Sequence, residues 1–269
     1  MRTVFSDLSE KWNLPYAVAG VLDPEETFIE MRFHAPDLQD EVWKVLEVTQ
    51  LSGFASKDAI KTEPAYACLS LTYNPDVPGD PYKATLGDIH RPMQQIKYVK
   101  DDVKNSYYDT YGFWMLTPAL RALRSIISRC KRSLVRSRLA VIRGNRPEAR
   151  DFNFGWHRDE PVFENLRVNI PVFAPPGYGI QVELSGNHPK EGSPSIETYK
   201  LKEGFAYSWQ TGLAHRACAL EDTKKDRVNL VLGFAPWFDN VGGGKWEPNE
   251  FFGRKHPFTM LRDGDVIAW

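Results

Sequence analysis

Between Arg138 and Ala235 the chain turns back on itself about every ten residues, a rhythm that few folds can accommodate. The segments Arg138 to Arg143, Trp156 to Asp159, Leu166 to Phe173, Gly179 to Leu184, Glu197 to Leu201, Phe205 to Trp209, His215 to Leu220 and Arg227 to Ala235 read as short strands. Several are separated by turn formers: Gly144-Asn145-Arg146-Pro147, Ala174-Pro175-Pro176-Gly177, Gly186-Asn187-His188-Pro189 and Lys202-Glu203-Gly204. Gly tolerates the positive φ of tight turns, and Pro cannot donate within a ladder, so these clusters end strands. Short strands closely spaced in this way predict an antiparallel sandwich or barrel.

The front of the chain has a different texture. Pro36 to about Gln50 predicts a helix, with Pro36 in its first turn and Leu38, Val42, Val45 and Leu46 at helical spacing. Tyr66 to Tyr73 reads as a strand. Asn74 to Arg91, with Tyr82, Lys83, Thr85, Asp88 and His90, is too long for an ordinary connection; it is either a loop that approaches a substrate or a solvated surface loop. Pro118 to about Leu134 gives the clearest helical stripe: Leu116, Leu120, Leu123, Ile127, Cys130 and Leu134. Nine Lys/Arg and no acid lie between Arg121 and Arg146, so this run packs one face on the core and either solvates the other or lays it on an anionic surface.

No Ser/Gly/Pro linker divides the 269 residues, which predicts a single domain over 1–269. Within it, 1–134 is a helical and mixed portion packed on a β core at 135–235, and 236–269 is an aromatic tail. In that tail Gly242-Gly243-Gly244 is either a lid hinge or part of a segment packed on the flank of the core. A net charge of −1 gives no general attraction to nucleic acid or membranes. Cys68, Cys130 and Cys218 are odd in number and widely spaced, which suggests thiols in a reducing compartment rather than disulfides or a Cys-based zinc site. With no apolar leader-like run at Met1 to Asp7 and no run of 18 or more apolar residues, the expectation is a cytoplasmic protein.

One short segment carries chemistry. In Gly155-Trp156-His157-Arg158-Asp159-Glu160 a His and an Asp stand two residues apart on an expected strand. Side chains at i and i+2 share a face, so His157 and Asp159 can reach one ion while Arg158 points away. With six His and 35 acidic residues, chance supplies a His-x-Asp/Glu roughly 0.8 times, so the pair needs a third partner. His215, just after the aromatic strand Phe205 to Trp209, is the best candidate; His188 is the rival, but it lies in a turn. His, carboxylate and His make a facial set suited to non-heme Fe(II). Arg227 opens the apolar strand Val228 to Phe234, where a buried guanidinium needs a carboxylate, from the protein or from a dicarboxylate ligand.

The order His157-x-Asp159, His215, Arg227 resembles the Fe(II)/2-oxoglutarate-dependent dioxygenases over about residues 135–235. Arg167-x-Asn169-x-Pro171 is similar to a strand of their aspartyl/asparaginyl β-hydroxylase-like branch. The resemblance implies a double-stranded β-helix (jelly-roll, cupin-like) core, mainly β with flanking helices. It also implies His157, Asp159 and His215 as iron ligands and Arg227 at the distal carboxylate of 2-oxoglutarate. Arg167 and Asn169 would then lie near the cosubstrate or substrate, with Trp209 and Gln181 lining the pocket. The implied reaction uses O₂ and 2-oxoglutarate, releases succinate and CO₂, and hydroxylates a C–H bond of a small substrate. Asp159 argues against halogenation, which in relatives goes with a small residue at that position. An amino acid, a sugar acid or a natural-product intermediate fits, with an anionic or carboxylate-bearing molecule favoured by the basic residues. Two other readings stand beside it: a cupin-like metalloenzyme without 2-oxoglutarate, and a non-catalytic β-sandwich binding module.

Overall fold

The computed structural model describes residues 3–21, 26–48, 52–53, 66–76, 109–142, 156–187, 189, 192–219 and 225–269. The expected 74–91 loop beyond Asp76, the 143–146 end of the basic run and the rival ligand His188 lie outside these residues. In chain order the elements begin with α1 (Val4–Lys11), α2 (Leu14–Ala19), β1 (Phe28–Arg32), α3 (Leu38–Val48), β2 (Ser52–Gly53), β3 (Tyr66–Ser70) and β4 (Thr72–Tyr73). After a 3-10 turn at Thr110–Gly112 come β5 (Met115–Leu116), α4 (Pro118–Ala122) and α5 (Arg124–Ile127). The β-rich half follows as β6 (Leu134–Ile142), β7 (Leu166–Phe173), β8 (Tyr178–Glu183), β9 (Ile196–Lys200), β10 (Phe205–Trp209), β11 (His215–Ala219) and β12 (Arg227–Phe234). The chain closes with β13 (Phe238–Gly242), β14 (Lys245–Pro248) and α6 (Pro257–Arg262).

Two antiparallel sheets form the centre, one ordered β1-β10-β7-β12-β6-β3-β2 and the other β11-β8-β9. The pairings nest: β6 with β12, a bridge at His157 with β11, β7 with β10, and β8 with β9. First pairs with last, second with second-last, and so inward, while the chain moves between the sheets. That winding is a double-stranded β-helix, mainly β with flanking helices, as expected. Trp156 to Asp159 is reduced to the single bridge at His157 rather than a full strand.

The large sheet is sided in an unusual sense. Leu166, Val168, Ile170 and Val172 of β7, and Val228, Leu230, Leu232 and Phe234 of β12, belong to the main apolar core with Leu8, Val42, Trp237 and Phe258. That face points outward, toward the N-terminal helices and the C-terminal tail. The alternate residues Arg167, Asn169, Arg227 and Asn229 point inward to a cavity between the sheets. Full burial of each apolar side chain stabilises the fold by about 1.5–3 kcal/mol, so the flanking elements are what hold the sheet together.

The expected helix from Pro118 to Leu134 is corrected. Thr117 caps α4, but Leu123 adopts φ −81°, ψ 67° and breaks the run before α5. Leu120 and Leu123 are fully buried as the stripe predicts, but beyond the break Ile126 is buried in place of Ile127, which is only partly covered. Leu134 already belongs to β6. The helix expected from Pro36 starts at Leu38, and Leu38, Val42 and Val45 form its buried stripe. Within the basic run Arg132 pairs with Asp239 and Glu250, Arg129 lies over the Phe33 ring and Arg136 is buried, while Arg121, Arg124 and Lys131 are exposed.

The tail is core rather than ornament. Trp237, Phe238 and Phe258 are wholly buried, and Gly242, Gly243 and Gly244, all at positive φ, turn β13 into β14. No helix among the described residues is long and apolar enough to cross a membrane. Cys68, Cys130 and Cys218 are free thiols.

One irregularity bears on the site. Along β6 and β12 the register runs Arg138↔Val231 and then Val135↔Gly233, three steps against two, which is a β-bulge. Arg136 sits in it at φ +41°, a left-handed conformation that costs a non-Gly residue about 1–3 kcal/mol. Gly233 is required opposite, because a Cβ there would stand 2.2 Å from the Val135 carbonyl oxygen. The Gly233 N–H donates to Ser137 Oγ at 3.1 Å, and the Ser137 N–H to Thr72 Oγ1 at 2.9 Å, which fixes the bulge from both sides.

Candidate metal centre

His157 and His215 face each other because their backbones form the bridge that closes the small sheet. The His157 N–H donates to the His215 carbonyl at 3.1 Å, and the His215 N–H to the His157 carbonyl at 2.9 Å. Two residues on, the Asp159 N–H donates to the Thr211 carbonyl at 2.9 Å, so its carboxylate returns to the same side. The ligating atoms of His157, Asp159 and His215 all lie within 4.8 Å of one another. Asp159 Oδ2 is 3.3 Å from His215 Nε2 and 3.7 Å from His157 Nε2. Ligands about 2.1 Å from one ion at right angles stand roughly 3 Å apart, so Asp159 already lies near coordinating distance of both imidazoles.

The His215 ring is oriented from behind. Its Nδ1 lies 2.9 Å from the Leu213 carbonyl oxygen, which can only accept. Nδ1 therefore donates to it, which leaves Nε2, on the Asp159 side, as the nitrogen that can bind a metal. The Trp209 ring packs edge-on at 5.6 Å between centroids and holds the imidazole plane.

Behind Asp159 runs a chain of alternating charge. Arg167 donates through one terminal nitrogen to Asp159 Oδ2 and through the other to Glu160 Oε2, the latter at 2.5 Å. Glu160 Oε1 accepts from Arg136 at 3.1 Å and from the Thr110 hydroxyl at 2.9 Å. Burial alone would raise the pKa of Asp159. Arg167 outweighs it, with help from the His215 hydrogen bond and the two imidazoles, and the carboxyl lies well below the usual range. In Glu160 burial is likewise overcome, by Arg167 and Arg136, and its pKa falls to about 2. Both groups are carboxylates at any ordinary pH. Five residues beyond Asp159, Glu164 goes the other way: burial and the nearby Glu160 charge push it up to about 7.

The trio opens on a cavity of about 370 Å³. Its large-sheet wall carries Arg138, Arg167, Asn169, Arg227 and Asn229, and its small-sheet wall Ile180, Ala217 and His215. Arg227 is 5% exposed and stands 5.8 Å from the Tyr178 ring centroid. Asn229 Nδ2 donates to Asn169 Oδ1 at 3.0 Å. That one bond leaves Asn169 Nδ2 and Asn229 Oδ1 without partners among the described residues, and Trp209 Nε1 is likewise unsatisfied. Whichever way each amide is turned, a single bond between them leaves polar groups of this buried pair for a ligand.

The structure thus brings His157, Asp159, His215, Arg227, Arg167, Asn169 and Trp209 to one cavity. Gln181 does not join them. It alternates with Ile180 on β8, so its side chain takes the other face, where it accepts from Arg216 at 2.8 Å and donates to Thr198 at 3.2 Å. Arg158 also borders the cavity, but its guanidinium donates to the carbonyls of Gly186 and Asn187. Asn229, Arg138, Arg136 and Glu160 escaped the sequence reading. Asn229 had a signal, since it shares a strand face with Arg227 two residues before it; Glu160 and Arg136 had none.

No protein-family model matches this chain, and no curated protein matches it. Solved structures with a similar outline include an oxidoreductase of the 2OG-Fe(II) oxygenase family from Burkholderia pseudomallei, at 11% identity and TM-score 0.42 over 82% of this chain and 88% of that one. Another is the epimerase SnoN from nogalamycin biosynthesis, in complex with Fe3+, alpha ketoglutarate and nogalamycin RO, at 11% and 0.44 over 86% of each chain. A third is HygX from Streptomyces hygroscopicus with nickel, 2-oxoglutarate and hygromycin B bound, at 11% and 0.43 over 84% and 88%. At these identities and TM-scores the likeness does not bear on function.

Proposed function

We propose that this protein is an Fe(II)- and 2-oxoglutarate-dependent oxygenase that hydroxylates a C–H bond of a small, anionic or carboxylate-bearing substrate. The observation that carries the proposal is the convergence of His157, Asp159 and His215 on one point, with Arg227 in the same cavity. Two neutral imidazoles and one carboxylate suit Fe(II) and leave open coordination positions.

The buried residues fit the cosubstrate. A guanidinium at Arg227 matches a carboxylate by charge and by fork geometry. The unsatisfied amide groups of Asn169 and Asn229 supply a donor and an acceptor on the same wall. A hydrophobic ligand would leave the two amide groups unpaired, at a cost of about 1–3 kcal/mol for each. When bound, iron and 2-oxoglutarate supply the oxidising chemistry, consuming O₂ and releasing succinate and CO₂. The chain's own part is to bind and orient: His157, Asp159 and His215 hold the metal, Arg227 and the Asn pair hold the dicarboxylate, and Trp209 seals the wall beside His215. Asp159 occupies the position that halogenation would need vacant, so hydroxylation is the favoured outcome.

The test is catalytic. Purified protein should convert 2-oxoglutarate to succinate only with Fe(II) and O₂, and chelation should abolish the conversion. Succinate release that persists in Asp159→Ala after chelation would refute the proposal.

A further inference from the structure

We infer that Glu160 and Arg136 are positioning residues for the metal face, acting on Asp159 through Arg167. This rests on the proposed metal site and adds to it residues that touch no ligand.

The geometry is a relay of four charges. Arg167 spans two successive carboxylates, one nitrogen on Asp159 Oδ2 and the other on Glu160 Oε2. The Asp159 oxygen it holds is also the one nearest both imidazoles. Where Arg167 sits therefore decides where that oxygen points and how much of its charge remains for a cation. Glu160 draws the guanidinium away from the metal side and shares its charge. Without Glu160, the whole positive charge of Arg167 falls on Asp159 and competes directly with the metal.

Glu160 is itself held in place. Its Oε1 accepts from Arg136 and Thr110, so both oxygens are engaged and the side chain cannot turn. Arg136 reaches it from the bulge in β6, where the left-handed backbone aims the guanidinium at Glu160 and lays it over the Phe113 ring at 5.0 Å. Bulges commonly redirect a side chain next to a site, and a strained conformation persists only where its surroundings enforce it. Gly233 and Ser137 enforce this one. The strained backbone, the obligatory Gly and the buried ion pairs have one joint product, a fixed Glu160.

The test reads metal affinity rather than turnover. Co(II) is titrated anaerobically into wild type, Glu160→Gln, Arg136→Met, Arg136→Lys and Thr110→Val, with the visible d–d bands followed and folding checked by circular dichroism. Loss of a residue that orients a ligand weakens metal binding about 10–100-fold, which is expected for Glu160→Gln and Arg136→Met, with a changed band shape. Arg136→Lys, which keeps the charge, should recover part of the affinity. Thr110→Val, which keeps every charge, should lose least. Folded Glu160→Gln that binds Co(II) as tightly as wild type, with the same spectrum, overturns this inference alone. Should Arg136→Met or Glu160→Gln fail to fold, the Arg136→Lys and Thr110→Val pair decides, and wild-type affinity in both overturns the inference. Wild type without d–d bands at millimolar Co(II) overturns the metal site and this inference with it.

Discussion

Asn229 on β12 and Asn169 on β7 share one amide hydrogen bond of 3.0 Å across the floor of the cavity. Both are at least 95% buried, and the bond uses only part of what the two amides offer. Such a pair is costly in an empty interior and well suited to an oxygen-rich ligand. Asn229→Ala should raise the KM for 2-oxoglutarate about 5–10-fold, the loss of one hydrogen bond of about 1–1.5 kcal/mol. Asn229→Asp, which adds a negative charge, should raise it further. Steady-state succinate formation checks both, and an unchanged KM in both variants would remove the pair from the binding site.

Arg227 should matter more than either Asn. Its guanidinium is the group proposed to meet the dicarboxylate's far end, and hydrogen bonds to charged groups contribute about 1.5–3 kcal/mol. Arg227→Gln should therefore raise the 2-oxoglutarate KM about 10–150-fold while Co(II) affinity changes little. Equal loss of both would mean that the substitution had disturbed the metal face instead.

Gly233→Ala tests the bulge as a piece of structure. Its Cβ would meet the Val135 carbonyl oxygen at 2.2 Å and Asn165 Oδ1 at 2.7 Å. The first is backbone and cannot swing aside, so the ladder must shift. Overpacking of this kind costs about 1–3 kcal/mol or more. In a protein of this size each kcal/mol lowers Tm by about 2–4 °C. Thermal unfolding of the metal-free protein reads the loss; a Tm equal to wild type would show that the bulge yields easily.

Glu164 makes stability depend on pH. Its carboxyl, pushed up by burial and then by Glu160, titrates at about 7 rather than 4.5. A group raised in the folded state adds stability below its unfolded pKa and loses it as pH rises through the folded one. Stability should therefore fall between about pH 4.5 and 7, by at most about 3 kcal/mol and less for a group that is partly exposed. Glu164→Gln should match wild type near pH 4.5 and gain in relative Tm toward pH 8. A Tm difference that is the same at both pH values would show that Glu164 titrates normally.

The fold was legible because the strands alternate. In Arg227-Val228-Asn229-Leu230-Val231-Leu232 and Arg167-Val168-Asn169-Ile170 the pattern separates the two faces, and the turn formers mark where each strand ends. The pattern does not say which face is inside. An apolar face turned outward onto α3 and the tail, with a polar face lining the cavity, depends on elements remote in sequence. His157, Asp159 and His215 were legible as residue types in order, and Asn229 was readable by strand parity. Gln181 was misplaced because its neighbour Ile180 takes the inward position on β8. Glu160 and Arg136 were not legible, since their roles arise from a bulge that depends on Gly233, a residue nearly a hundred positions from Arg136. The helix expected through Leu134 failed at Leu123: Leu120 and Leu123 are buried as the spacing predicts, but beyond the break Ile126 is buried in place of Ile127.

The most direct test of the central claim is an anaerobic titration of Fe(II) into the protein in the presence of 2-oxoglutarate, followed by visible absorption. A metal held by His157, Asp159 and His215 and chelated by the keto acid should give a charge-transfer band. The band should need both additions, and it should be lost in His157→Ala. Wild type with no band at saturating Fe(II) and 2-oxoglutarate, or a band that survives unchanged in His157→Ala, would contradict the assignment.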